Sequence, residues 1–394
     1  MLSVLTTCFK NVKNKMNLSP EDSLRLNVLL KQELQAVRID ESKMRVLALT
    51  SKGEASVSLN PNCRDDQYLK KVRELFSTNV LGSPGGYPVY IKRWTRMGQD
   101  RENSSLHSLL QLGEPEAVMA VVHAPSLTPE LAKLAWWIMP EAENARCMLG
   151  APQVVDSDIG RELAQFLVEY LPFETEPDAI LKSVRLVLQP GLVSEEVQKD
   201  LWLRAARKGT IYVSFLQAMP DALPEMAEPH PAYDELRSTV SPLLEKNNAV
   251  AKQLCKVMSP AGQAFLKTVV NAMDKLADEA AAVALFDAIG IYFSATLPKG
   301  HSGAIDAGRS SELAVAFAQS YVEEFESYHP ELAEVQKVLT EHHLKLTAMV
   351  ALSFANEALL DSFFAHSDAV GPLMRRKMKL WTEPLLAQIK LLQD

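Results

Sequence analysis

The hydrophobic pattern of this chain changes period once, and that change limits the folds open to it. Up to about residue 101, apolar residues alternate with polar ones or fall in short runs between turn signals; beyond it they recur only at the three- and four-residue spacing of helices. Charge divides at the same point. Residues 1–101 carry 17 Lys and Arg against 10 Asp and Glu, whereas residues 102–394 carry 24 against 39. The expected fold is a small α+β domain with an antiparallel sheet over 16–101, followed by a mostly all-α region. That region reads as an irregular, α-solenoid-like array of stacked helix hairpins, in two parts over 102–225 and 232–394. A chain of 394 residues, 47% apolar, is longer than one core serves, which also favours division.

Within the first module, Ser19-Pro20-Glu21-Asp22 supplies a capping hydroxyl, a proline at the first helical position and two acids at the positive end of the helix dipole. A helix is therefore predicted from Pro20 to about Gln32. Strands follow at Val37–Asp40, Arg45–Thr50 and Glu54–Leu59, the last alternating Ala55, Val57 and Leu59 with polar neighbours. Tight polar connections at Asp40–Lys43 and Ser51–Gly53 make these three an antiparallel meander. Asp65–Ser77 reads as a helix with Tyr68, Leu69, Val72, Leu75 and Phe76 on one face. After the break at Gly82–Gly86, Tyr87–Thr95 is a predicted fourth strand.

In the second module, proline or a capping residue opens nearly every apolar segment. Thr128-Pro129, Glu176-Pro177, Ser194-Glu195, Ser241-Pro242, Ser259-Pro260 and His329-Pro330 are all predicted helix starts. A dozen or more helices of roughly 10–18 residues follow from this spacing, with no fixed repeat period. The proline-rich stretch Pro220–Pro231 is the expected internal boundary, and the Gly- and Ser-rich Leu297–Arg309 a second soft point.

No signature of a phosphate loop, a metal set or a nucleophile elbow is present. Gly82–Gly86 lacks the Lys-Ser/Thr of a phosphate loop and leads into a strand, so it reads as a turn. Gly300-His301-Ser302-Gly303 has only the bare spacing of a nucleic-acid clamp. His342 and His343 point about 100° apart on a helix and cannot chelate one ion as an i, i+4 pair would. Glu323, Glu324 and Glu326, with Asp278 and Glu279, read as solvated helix faces. Neither a metal nor a cofactor is expected, and the chain is read as non-catalytic. No apolar stretch approaches the roughly 20 residues that span a bilayer.

Three features have functional readings. Strand alternation would place Tyr90, Lys92, Trp94 and Arg96 on one face, a cationic and aromatic arrangement that can stack bases and hold phosphates; internal packing against the acidic module is the plainer alternative. Near the C-terminus Met374, Met378, Trp381, Leu385, Ile389 and Leu392 form a helical stripe, with Arg375, Arg376 and Lys379 elsewhere on the same predicted helix. It reads as a capping helix, or as a basic ridge for an acidic partner or nucleic acid. The four cysteines are scattered without a CxxC pair, which suits a reducing cytoplasm. Of these, Cys63 and Cys147 are the candidate nucleophiles; Cys63 is favoured because it precedes a helix start beside Arg64. Residues 1–15 read as a disordered extension without the charged start and apolar core of a leader, and Met16 is a candidate beginning of the folded protein.

Several strings resemble one family. They are Leu18–Leu30, Leu59–Arg64, Val80–Tyr90, Arg93–Gly98, Gly113–Val118, Pro140–Arg146 and Val213–Pro224, with Ala369–Gly371 and Met374–Lys377 nearer the end. Together they look like the DsrS family, proteins encoded beside dissimilatory sulfite reductase in sulfur-oxidising bacteria. The resemblance is dense to about residue 225 and thinner beyond. It implies a cytoplasmic accessory protein of stored-sulfur oxidation with a regulatory role, bound to protein partners of that pathway. It implies no catalytic residue, so none is carried over. Two alternatives stand beside it: an RNA-binding regulator using Lys92–Arg96, and a thiol enzyme or sulfur carrier using Cys63.

Overall fold

The structure, a computed structural model, describes residues 18–82, 85, 103–297 and 329–394. Its N-terminal part opens with α1 (Pro20–Leu30), β1 (Leu34–Asp40), β2 (Arg45–Thr50), β3 (Gly53–Ser58) and α2 (Asp65–Leu81). The Ser19 hydroxyl accepts the Asp22 N–H at 3.2 Å, and Pro20 occupies the first turn. The strands form a meander of order β1-β2-β3, both pairs antiparallel, with Val37 opposite Ala48 and Val46 opposite Val57. An irregularity between Leu34 and Ala36 lets β1 begin three residues before the predicted Val37. At the first turn the Asp40 carboxylate accepts the Ser42 hydroxyl and the Lys43 N–H, and Met44 takes a positive φ of 48°. This is the Asx-turn device that lets a short polar loop reverse a strand. The predicted fourth strand, the Gly300–Gly303 spacing and residues 1–15 lie outside the described residues.

One core joins these elements: Val37, Val46 and Ala48 of the sheet, Leu26 and Leu29 of α1, and Tyr68, Leu69, Val72 and Phe76 of α2 are all buried together. Helix α2 runs four residues beyond the predicted Ser77 and stops at Gly82, whose φ of 67° is the left-handed cap a glycine adopts without a Cβ penalty.

The chain divides into two compact units, Met1–Leu167 and Val168–Asp394. The first therefore runs well past the boundary expected at 101. It continues with α3 (Asn103–Leu109), α4 (Pro115–Val122), α5 (Pro129–Ile138), α6 (Ala142–Met148) and α7 (Pro152–Val155), and α8 (Asp158–Tyr170) crosses its edge. These helices bond directly to the sheet. Val37 N–H donates to Leu110 O at 2.9 Å, and Gln111 Nε2 donates to Leu34 O at 2.6 Å. Arg38 donates to Trp137 O at 3.3 Å and lies 5.2 Å from the Trp137 ring centre, while Trp137 Nε1 donates to Glu54 Oε1 at 2.7 Å. A boundary at 101 would cut through these bonds.

The second unit comprises α9 (Pro177–Val187), α10 (Glu195–Ala205), α11 (Gly209–Ala218), α12 (Tyr233–Thr239), α13 (Ser241–Glu245), α14 (Ala249–Met258), α15 (Pro260–Met273), α16 (Glu279–Tyr292), α17 (Pro330–Val338), α18 (His343–Ser353), α19 (Ala358–Phe364), α20 (Gly371–Lys377) and α21 (Lys379–Gln393). The proline-rich stretch 220–231 lies inside this unit. All six predicted helix starts are observed; the Thr128, Ser259 and His329 side chains accept N–H groups of the first turns they open. Nine helices of the described residues beyond residue 102, α3, α4, α6, α7, α12, α13, α17, α19 and α20, are shorter than the predicted range.

Helix α11 organises the second unit. Every residue from Gly209 to Leu216 is buried, and α9, α10, α15 and α16 pack around it. A helix apolar on all sides is a core helix. Trp202 of α10 meets Tyr212 and Phe215 of α11 edge-on at 4.9 and 5.1 Å between ring centres. Close approach elsewhere depends on Gly290 of α16, where a Cβ would fall 1.9 Å from Ala355 O.

Candidate functional site

Tyr90, Lys92, Trp94 and Arg96 lie outside the described residues. The C-terminal cluster is described, and its members part company. The predicted single last helix is two, α20 and α21, joined at Met378. Met374, Met378, Leu385, Ile389 and Leu392 are buried as the stripe requires, and Trp381 packs edge-on to Phe363 at 5.2 Å. Arg375 is half-buried and donates to Leu276 O at 2.7 Å, beside a bond from Gly371 N–H to Ala277 O of the same length. That side chain fastens α20 to the turn after α15. Arg376 is exposed, and Lys379 forms an exposed pair with Glu383 at 3.3 Å. Of the three cations, Arg375 is thus engaged within the unit, and Arg376 and Lys379 are exposed.

Cys63 is half-buried against the core of the sheet, its Sγ 3.7 Å from Arg64 O. Arg64 turns to Asp66 at 3.1 Å. Among the described residues no group of three or more His, Cys, Asp or Glu could hold a metal ion. His329, within sequence reach of the His342-His343 pair, is buried and caps α17, its Nδ1 accepting Leu332 N–H at 3.4 Å. No helix of the described residues is long and apolar enough to cross a membrane.

The sequence did not single out a groove of about 560 Å³ in the second unit. Helices α9 and α16 both pack on α11 and touch each other. From α9, Asp178, Lys182 and Arg185 line the groove, and their i, i+4, i+7 spacing places them along one helix side. From α16 come Glu279, Val283 and Asp287 at i, i+4, i+8, with Ala280 and Ala284 between them, and Glu357 joins these acids. The Glu357 N–H donates to Asp287 Oδ1 at 3.0 Å, which fixes that end. Gln217 of α11 donates to Ala284 O at 3.3 Å, and the buried Leu181 adds an aliphatic surface. The result is a small-residue trough with cations predominating along one helix and anions along the other.

A second groove of about 480 Å³ is lined by Leu171, Pro172, Leu203 and Ile211 with Arg204, Arg207 and Lys208. Arg204 pairs with Asp200 at 2.5 Å, and Leu203 is 72% exposed. A cationic rim over an apolar lining attracts anions without distinguishing among them.

No protein-family model matches the chain, and neither a curated protein nor a solved structure was found to match it.

Proposed function

We propose that this protein is a non-catalytic accessory or regulatory protein that acts by binding another protein in the α9–α16 groove. The observation that carries the reading is the groove's uneven division of charge: Lys182 and Arg185 outnumber Asp178 along α9, and Glu279, Asp287 and Glu357 line the opposite side, over Val283, Ala280 and Ala284. An amphipathic helix with an apolar stripe, acids on one flank and bases on the other would satisfy it in one orientation only. This is recognition by a helix laid in a groove, with charge setting register and direction. The resemblance to the DsrS family supports placing the partner in the cytoplasmic apparatus of sulfur oxidation, beside dissimilatory sulfite reductase.

The test is capture of partners by the full chain from sulfur-oxidising cells at moderate salt, with ribonuclease, compared with the double variant Lys182→Glu, Arg185→Glu. A specific protein retained by the parent and lost by the variant is the expected result. Equal recovery by both chains would move the interface elsewhere. Capture that disappears with ribonuclease would favour an RNA reader using Lys92–Arg96.

A further inference from the structure

Cys147 is in the last turn of α6, and His123 is the residue that ends α4. Their side chains meet at 3.2 Å, Sγ to Nε2. The other ring nitrogen, Nδ1, lies 2.8 Å from Met119 O, a carbonyl of the turn just before. A carbonyl oxygen only accepts, so Nδ1 carries a hydrogen whatever the charge of the ring. In the neutral imidazole Nε2 is then the bare nitrogen, and it faces the thiol. Fixing one ring nitrogen so that the other can take a proton is how a histidine serves as base to a nucleophile. Glu143, one turn earlier on α6, brings Oε1 to 3.6 Å of the same sulfur, while its Oε2 accepts Arg146 Nε at 2.9 Å. The Arg146 side chain is only 8% exposed, so a buried cation offsets that carboxylate.

The pair lies at the surface of the first unit. Cys147 is half-buried, and His123 and Glu143 are exposed. The other described cysteines are placed differently: Cys63 has the Arg64 carbonyl beside it, and burial pushes the Cys255 thiol up. Exchange at sulfur builds no oxyanion. It requires a nucleophile, a proton acceptor and open access, and no enclosing pocket.

We propose that Cys147 and His123 form a thiol–base pair that captures a small-molecule disulfide as a mixed disulfide. His123 Nε2 takes the thiol proton as Sγ attacks the near sulfur of the disulfide. The new S–S bond forms as the old one breaks, and the departing sulfur keeps the bonding pair. It then takes the proton from His123 and leaves as a thiol. Cys147 is oxidised, half of the small disulfide is reduced, and nothing else is consumed. The protein is modified once per chain, independently of the groove in the second unit.

The experiment exposes the full-length protein to cystamine at neutral pH and follows mixed-disulfide formation at each cysteine by peptide mass analysis. Cys147 should be modified about tenfold faster than Cys63 or more, since positioned proton transfer contributes on the order of a hundredfold in dedicated sites. His123→Gln keeps a polar side chain at this exposed position without a base of comparable strength; it should slow Cys147 by about tenfold and leave the Cys63 rate unchanged. Equal rates at Cys147 and Cys63 in the parent protein would overturn the proposal without reference to any variant. So would a Cys147 rate unaltered by His123→Gln.

Discussion

The phenol of Tyr68 donates a 2.5 Å hydrogen bond to Oδ2 of Asp22, and both residues are fully buried. The same oxygen accepts Asn60 N–H at 2.7 Å, and Tyr68 Oη accepts Ser19 N–H at 3.1 Å. Three segments of the first unit, the start of α1, the loop at Asn60 and α2, are tied in one polar knot. Tyr68→Phe should cost about 2–3 kcal/mol, because it removes a bond to a charged acceptor and leaves buried groups short of a partner. Denaturant unfolding of the two chains measures this.

Burial first, and the Asp22 carboxylate second, raise the ionisation of Tyr68 above its ordinary value of 10.0. A folded-state value above the unfolded one means that the protonated phenol's contribution is complete below pH 10 and is lost as pH rises beyond it. Alkaline titration of stability should show this loss in the parent and less of it in Tyr68→Phe.

His230 is expected to make the second unit acid-sensitive. Its Nδ1 accepts Ala232 N–H at 3.0 Å, and its Nε2 lies 3.0 Å from Lys345 Nζ. Burial, then Lys345 and His342, hold its ionisation below the ordinary 6.5, against the opposing pull of Asp394. A lowered folded-state value gives stability present above pH 6.5 and lost as pH falls below it. Melting curves between pH 8 and 5 should show a smaller acid loss for His230→Asn, whose amide oxygen can still accept Ala232 N–H.

Arg375 and Arg376 are neighbours with different duties. Arg375→Ala removes the bond to Leu276 O and should cost about 1.5–3 kcal/mol. Arg376→Ala, at an exposed position, should stay within about 0.5 kcal/mol of the parent. Equal losses would contradict the different environments of the two side chains.

Gly290→Ala should be among the most damaging single-methyl additions, at about 3 kcal/mol. The added carbon would overlap Ala355 O, an atom of the backbone that cannot rotate away. A melting midpoint within a degree or two of the parent would mean that the segment after α18 yields easily.

Element starts were legible because they depend on local chemistry. A proline fits the first helical turn wherever it occurs, so Pro129, Pro177 and Pro260 marked helices without tertiary knowledge. The alternation around Ala55 and Val57 likewise marked β3. Long-range associations were not legible in this way. Asp22 looked like a first-turn acid and is also the acceptor for Asn60 and Tyr68; Lys182 and Glu279 look like solvated helix charges until α9 and α16 are brought together. Cys147 reads as a possible nucleophile, but its histidine is 24 residues away, at a distance no motif specifies. The expected boundary at residue 101 followed a real change of composition, yet hydrogen bonds from Val37 and Arg38 carry the unit past it.

The wrapping of α11 has a consequence for how the chain is made. Its apolar surface emerges during synthesis well before α15 and α16, the helices that later cover it, and translation adds only about 5–20 residues per second. For several seconds the nascent second unit must hold a sticky, unfinished centre, so a ribosome stalled or a message cut between residues 219 and 278 would release a fragment prone to clump. Chaperone demand during translation should therefore peak in that window and fall once residue 292 has cleared the ribosome.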